Sequence, residues 1–239
     1  MNMRDIGRRL GQEEIAIPLV ATTSWPLDVE IWAVQASLRS DDAARALRAM
    51  CDAAELDRAS TFRAPSRQRQ YVTTRGVLRA LLGARLDLRP ADVPLRRDHR
   101  GKPHVAGAAD GLHFSVSYST GLSLIALAGG QEVGIDIEYV NREVDVDAII
   151  RRFFPADEAR RLSATPPTQR RMDFFRSWTR KEAWLKAVGE GFHRPLGSVP
   201  DLAGSQIVDL VPSPGFRAAV AVTTRGTVCD ESQLSERGQ

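Results

Sequence analysis

The chain has 239 residues, 43% hydrophobic and 26% charged, which suits one large soluble domain or two small ones. Its formal net charge of +3 and sequence pI of about 9.2 fit an anionic small molecule or an acidic protein partner. Aromatic residues are few and do not alternate with basic ones, which excludes a single-stranded nucleic-acid platform; no apolar run is long enough to span a bilayer or follows a basic stretch as a secretory signal would.

The first 25 residues read as an irregular or extended lead-in. VEIWAVQASL (29–38) alternates apolar and polar residues and predicts a half-buried strand. The Ala-, Arg- and Leu-rich stretch from Asp41 to Leu56 predicts a helix, and Ser66 to Leu86 a longer one. Residues 87–112, rich in Pro and Gly, predict loop with short strands at most. LHFSVSYS (112–119) and LSLIALA (122–128) flank Thr120-Gly121 as a hairpin, and VGIDIEYV (133–140) predicts a further strand. Short helices are expected at 145–152 and 156–162, then a long one from Gln169 to Val188 capped by Gly189. FRAAVAVTT (216–224) predicts a strand, and the last ten residues disorder. A faint repeat runs through this order: strand, Phe62, helix ending at Gly83, then strand, Phe154, helix ending at Gly189. Two similar α+β halves would leave a ligand cleft between them. Cys51 and Cys229 match no metal or redox spacing, so free thiols in the cytoplasm are expected; His99, His104 and His193 form no zinc pattern.

Of 33 basic residues only Lys102, Lys181 and Lys186 are lysine. Arginine is a fork that stays protonated, whereas lysine is a compact ammonium able to yield a proton, so these three positions point to places where arginine does not serve. They fall in RGKPH (100–104) and WTRKEAWLKAVGEGF (178–192). In the first, Arg100, Gly101, Lys102 and Pro103 form a basic, stiffened turn suited to phosphate; a basic turn on a solvated surface is the competing reading. In the second, Trp178, Glu182 and Lys186 are four apart and share one helix stripe; a plain Glu–Lys surface pair is the competing reading. In GIDIE (134–138), Asp136 and Glu138 share one strand face while Ile135 and Ile137 take the other. Two carboxylates there repel unless something positive lies between them, and Mg²⁺ with its hard oxygen ligands is the natural candidate; two solvated acids are the alternative. Arg67, Arg69, Arg75 and Arg79 run along the 66–86 helix and could hold phosphates or simply face solvent.

Together, GKP, FSVSYS, GIDIE and WTRKEAWLK, in this order, resemble the 4′-phosphopantetheinyl transferases of the surfactin-synthetase-activating type, over about residues 62–192. The resemblance implies an α+β fold of two similar subdomains related by a pseudo-twofold, with the active site in the cleft between them. It implies transfer of the phosphopantetheine arm of coenzyme A to a serine of an apo acyl or peptidyl carrier protein, releasing adenosine 3′,5′-bisphosphate. It further implies Mg²⁺ (Mn²⁺ in its place) on Asp136, Glu138 and Glu182. Coenzyme A contacts would come from Arg67, Arg75, the RGKP backbone, Lys102, Ser117, Tyr118 and Lys186, with Lys186 near the bridging oxygen and Glu182, or a metal-bound water it orients, as base. Residues 1–131 would form the half that contacts coenzyme A phosphates, 132–228 the metal and catalytic half, and 229–239 a tail. A monomer acting on an acidic carrier helix, with no nucleic acid or membrane partner, completes the expectation.

The family's FNxSHS has Ser115 in place of asparagine and Tyr118 in place of histidine. Tyrosine offers a hydrogen bond but no charge, so weaker coenzyme A binding or compensation by nearby arginines is expected. His113, one residue before the motif, is expected to be structural. The departure motivates an alternative, a homologue that binds coenzyme A or carrier without transfer; a metal-dependent phosphohydrolase would leave the motif order unexplained.

Overall fold

The computed structural model describes residues 16–19, 29–36, 41–107, 111–190, 197, 199, 202 and 206–223. Cys229, His193, the predicted tail and most of the lead-in lie outside the described residues.

The elements follow the chain as β1 (Ala16–Pro18), β2 (Val29–Gln35), α1 (Asp41–Ala49), α2 (Ala53–Ser60), α3 (Pro65–Leu86), β3 (Leu95–Arg97), β4 (Pro103–Val105), β5 (Leu112–Tyr118), β6 (Leu122–Gly129), β7 (Glu132–Tyr139), α4 (Val146–Phe153), α5 (Ala156–Ser163), α6 (Pro167–Val188), β8 (Ile207–Leu210) and β9 (Phe216–Thr223). One antiparallel sheet has the order β1-β2-β6-β5 and a second β7-β9-β8; β3 and β4 pair as a small hairpin. The protein is α+β, as expected. Its two halves repeat one scheme: a strand, three helices of which the last is the longest, then two strands that join the first in the order first, third, second.

Strand alternation fixes the layers. On β2, Trp32 and Val34 pack with Leu78, Leu81 and Leu82 of α3, while Ile31 and Ala33 face the other way. There they meet Val133, Ile135 and Ile137 of β7 and Val220 of β9, a core between the two sheets. Ala219 and Ala221, on the outer side of β9, pack against Ala183, Trp184 and Ala187 of α6. The stack is helix, sheet, sheet, helix.

Two expected helix boundaries are corrected. The stretch predicted as one helix from Asp41 to Leu56 is two, because Asp52 forms a capping box with Glu55 and starts α2 afresh. Helix α3 runs through Gly83 to Leu86 and is capped by Asp87 in the left-handed region, φ 54°. Gly83 is glycine for closeness instead: a Cβ there would lie 2.7 Å from the Leu88 carbonyl oxygen.

Arg79 belongs to the fold, not to a phosphate-binding face. It is fully buried, donates to the carbonyls of Pro90, Ala91 and Val93, and pairs with Asp52 and Glu55. A buried guanidinium is tolerable because its donors are answered.

Candidate functional site

The two halves meet along the free edge of β7. Strand β5 does not pair with it by backbone; instead Ser115 and Ser117 on one face of β5, and Ser119 just past its end, offer their hydroxyls to it. Ser115 Oγ accepts from Ile135 N–H (3.1 Å), Ser117 Oγ from Ile137 N–H (3.3 Å) and Ser119 Oγ from Tyr139 N–H (2.9 Å). Side chains thus satisfy backbone donors that a partner strand would otherwise take. Sequence reasoning missed this row, although hydroxyls at every second position of FSVSYS signalled it.

Helix α6 crosses β7 at Gly134, where a Cβ would lie 2.0 Å from the Ala183 carbonyl oxygen and 2.4 Å from the Ala187 nitrogen. Glycine at the head of GIDIE therefore lets the helix backbone sit directly on the strand. That contact lays the Glu182–Lys186 stripe beside Asp136. Lys186 Nζ donates to Asp136 Oδ1 (2.7 Å), to the Ile135 carbonyl (2.9 Å) and to Ser117 Oγ (3.1 Å), so three acceptors converge on its three N–H bonds. Ser117 Oγ in turn donates to Asp136 Oδ1 (2.9 Å). Ser117, expected at coenzyme A, is engaged in orienting Asp136.

Asp136 is buried, and among the described residues its Oδ2 has no hydrogen-bond partner. Burial pushes the Glu138 carboxyl up to about 7, and the nearby charge of Asp136 adds to it. Burial likewise raises Glu182, with Asp136 again the next cause. Glu182 has neither hydrogen bond nor ion pair among the described residues, whereas Glu138 lies 3.4 Å from Arg142. The three acids are thus electrostatic neighbours. Still, among the described residues no three His, Cys, Asp or Glu side chains stand in a metal-ligating arrangement. Lys186 and Arg142 answer two of the charges here. An orphaned buried oxygen and two carboxyls raised by burial and by the charge of Asp136 nonetheless fit a hard divalent cation.

The RGKP turn differs from expectation. Asp98 Oδ1 accepts the backbone N–H groups of Arg100 (2.9 Å) and Lys102 (2.8 Å), and the Asp98 carbonyl that of Gly101 (3.0 Å). Pro103 has no N–H to give. The turn's backbone donors are spent, so anion contacts from it must come from side chains. Gly101 does adopt φ 84°, which the turn requires. Arg100 is exposed, 3.9 Å from Glu190. Lys102 gives two of its three donors to Glu132 (2.7 Å) and the Ala187 carbonyl (2.9 Å), tying the turn to the end of α6. All three lysines prove to be ion-paired: the third, Lys181, is buried against Glu158 (3.0 Å).

His113 is structural, as expected: its Nδ1 lies 3.3 Å from the same Glu132 carboxylate. The His113 hydrogen bond, then Lys102, outweigh burial and hold Glu132 down at about 2, against an ordinary 4.5. A depressed acid stabilises the fold above its unfolded value and loses that contribution as pH falls through its folded value. Glu132→Gln should therefore lower unfolding free energy by about 1 kcal/mol at pH 6–7, after allowing for solvent screening. Urea titrations should show the gap between variant and parent closing between about pH 4.5 and 2; a pH-independent gap would assign the loss to packing.

On α3, Arg67 is exposed in the first turn, while Arg75 is half-buried and paired with Glu55. Eight residues put them about 12 Å apart along the axis. Tyr118 is 40% exposed at the end of β5. A cleft of about 830 Å³ opens on the far face of α6, among Glu158, Asp173, Arg176, Arg180 and Lys181, and holds none of the predicted site residues.

Comparison with known proteins agrees with these motifs. The model of the 4′-phosphopantetheinyl transferase superfamily matches residues 132–218, the segment from β7 through α6 into β9. The chain is similar to the 4′-phosphopantetheinyl transferase HetI of Nostoc sp., 32% identical over 212 residues, covering 83% of this chain and 89% of that protein. It is similar to a phosphopantetheinyl transferase of Thraustochytrium sp., 31% identical over 213 residues, 81% of this chain and 71% of the other. It is also similar to the 4′-phosphopantetheinyl transferase Sfp of Bacillus subtilis, 30% identical over 122 residues, about half of each chain. Motif order, the seating of α6 on Gly134 and a relative matched over most of both lengths lead to one assignment: the chain belongs to the 4′-phosphopantetheinyl transferase family.

Proposed function

We propose that this transferase moves the phosphopantetheine arm of coenzyme A onto a serine of an apo acyl or peptidyl carrier protein, with Mg²⁺ (or Mn²⁺) and release of adenosine 3′,5′-bisphosphate. The observation that carries the reading is the knot of Lys186, Asp136 and Ser117, which joins both halves, with Glu182 one helical turn before Lys186. Residues 1–131 supply Ser117 and the phosphate-facing arginines; residues 132–228 supply the acids and Lys186.

Asp136, Glu138 and Glu182 would hold the cation, which when bound neutralises charge on the diphosphate. The remaining chemistry falls to the side chains. The carrier serine oxygen attacks the β-phosphorus, and the bond from that phosphorus to the bridging oxygen breaks. The serine proton passes to the Glu182 carboxylate, or to a metal-bound water that it orients. Lys186, its ammonium partly exposed, turns one N–H from the Ser117 hydroxyl, the most distant of its three acceptors, to the departing oxygen of the nucleotide. Lysine can do this and then recover a proton; arginine holds its own too tightly. Arg67, Arg75, Arg100 and the remaining donor of Lys102 meet phosphate oxygens, and the carrier presents an acidic helix to this basic chain.

The test is intact-mass analysis of an apo carrier domain incubated with the protein, coenzyme A and Mg²⁺. The carrier should gain one phosphopantetheine, and chelation should stop the gain. Coenzyme A binding without a mass gain would favour the non-catalytic alternative; neither binding nor gain would end the proposal.

A further inference from the structure

Residue 118 is tyrosine where the FNxSHS pattern has histidine, and its surroundings suggest what the replacement does. Residues of β5 face alternate ways: Ser115 and Ser117 meet β7, while Phe114 and Val116 pack toward α3. Tyr118 is next on that second row, at the open end of the strand, and its ring stacks on Tyr71 of α3 with centroids 6.1 Å and planes 24° apart. Tyr71 leans on Phe62 (5.4 Å, 53°), and the Arg58 guanidinium lies 5.7 Å from the Phe62 ring centre. The pile therefore ends outward at Tyr118, one ring face backed by Tyr71 and the residue 40% exposed. Among the described residues the Tyr118 hydroxyl has no hydrogen-bond partner. Arg75 is an electrostatic neighbour of both tyrosines, and Arg97 of Tyr71.

We propose that Tyr118 is a stacking platform for the adenine of coenzyme A, backed by Tyr71 and Phe62, and that it acts through its ring, not its hydroxyl. The proposal rests on the coenzyme A reading above and deepens it. A neutral phenol cannot replace the charge of an imidazolium, but a π face accepts a base of any kind. A ring already stacked on another loses little side-chain freedom on binding. Arg75, beside the platform, then meets a phosphate of the same nucleotide.

The experiment titrates the full chain with coenzyme A carrying an etheno-adenine, whose fluorescence falls when the base stacks on an aromatic ring. The parent protein should bind with quenching. Tyr118→Ala and Tyr118→Leu (the latter keeping apolar contact with Tyr71) should lose the quench and weaken binding about 10-fold or more. Tyr118→Phe should recover both, and Tyr71→Ala should lose part of both. Affinity for 4′-phosphopantetheine, which has no adenine, should be the same in Tyr118→Leu and the parent. Loss in Tyr118→Phe equal to that in Tyr118→Leu would overturn the proposal in favour of a hydroxyl contact. Quenching that persists in Tyr118→Ala and Tyr118→Leu would also overturn it, while leaving the transferase reading intact. Failure of the parent to bind coenzyme A at all would remove both.

Discussion

Gly134→Ala should destabilise the protein by about 3 kcal/mol or more and cut transfer about 100-fold in whatever fraction stays folded. One methyl group is enough because nothing near it can give. The new Cβ would stand 2.0 Å from the Ala183 carbonyl oxygen and 2.4 Å from the Ala187 nitrogen, both backbone atoms of α6. Flexible side-chain ends can swing aside; a helix backbone cannot without moving as a whole. To restore ordinary contact α6 must lift by more than about 1 Å, and shifts of that size at reacting groups cost orders of magnitude in rate. Glu182 and Lys186 ride on the same helix, so stability and activity should fall together. Thermal melts and initial transfer rates, taken on one preparation, check this. A variant with the parent's melting temperature and rate would mean that α6 is not seated as described. Gly101→Ala is the contrasting control: a Cβ there meets nothing within 4 Å, and only its φ of 84° is unfavourable, so the cost should be about 1 kcal/mol.

Lys186→Arg should lower kcat at least about 100-fold while changing the KM for coenzyme A only a few-fold. The substitution keeps the charge, so it separates two roles. If Lys186 serves only as a positive charge beside the diphosphate, arginine should nearly replace it. The geometry says otherwise: Asp136 Oδ1, the Ile135 carbonyl and Ser117 Oγ converge within 2.7–3.1 Å of one nitrogen, a tripod for an ammonium and not for a planar fork. Arginine also cannot pass a proton to a leaving oxygen at working pH. Steady-state kinetics on a carrier substrate, with a melting curve to confirm folding, give the answer. A kcat within about fivefold of the parent would remove Lys186 as a donor to the leaving oxygen and leave it a charge.

Much of this was legible in the sequence. Apolar alternation located β2, strand-like runs located β5, β6, β7 and β9, and a helical pattern with a terminal glycine located α6. The scarcity of lysine singled out three residues that all turn out to be ion-paired. The break between α1 and α2 was written locally as well, in the Asp52–Glu55 capping box, and was missed because helix propensity continues across it.

What a sequence determines alone is whatever depends on near neighbours: strand and helix periods, caps, the pairing of Asp136 and Glu138 on one strand face, and the motif order that marks the family. Such features rest on backbone geometry repeating every two or 3.6 residues. Only the tertiary structure decided which partner each polar group takes. It gave Ser117 to Asp136 and Lys186, across 19 and 69 residues, and the serine row to the edge of β7. It gave Lys102 to Glu132 and α6, and made Arg79 a buried clamp where helical spacing offered it to phosphate. Distance and burial choose among acceptors that are chemically equivalent, and neither is encoded in spacing along the chain.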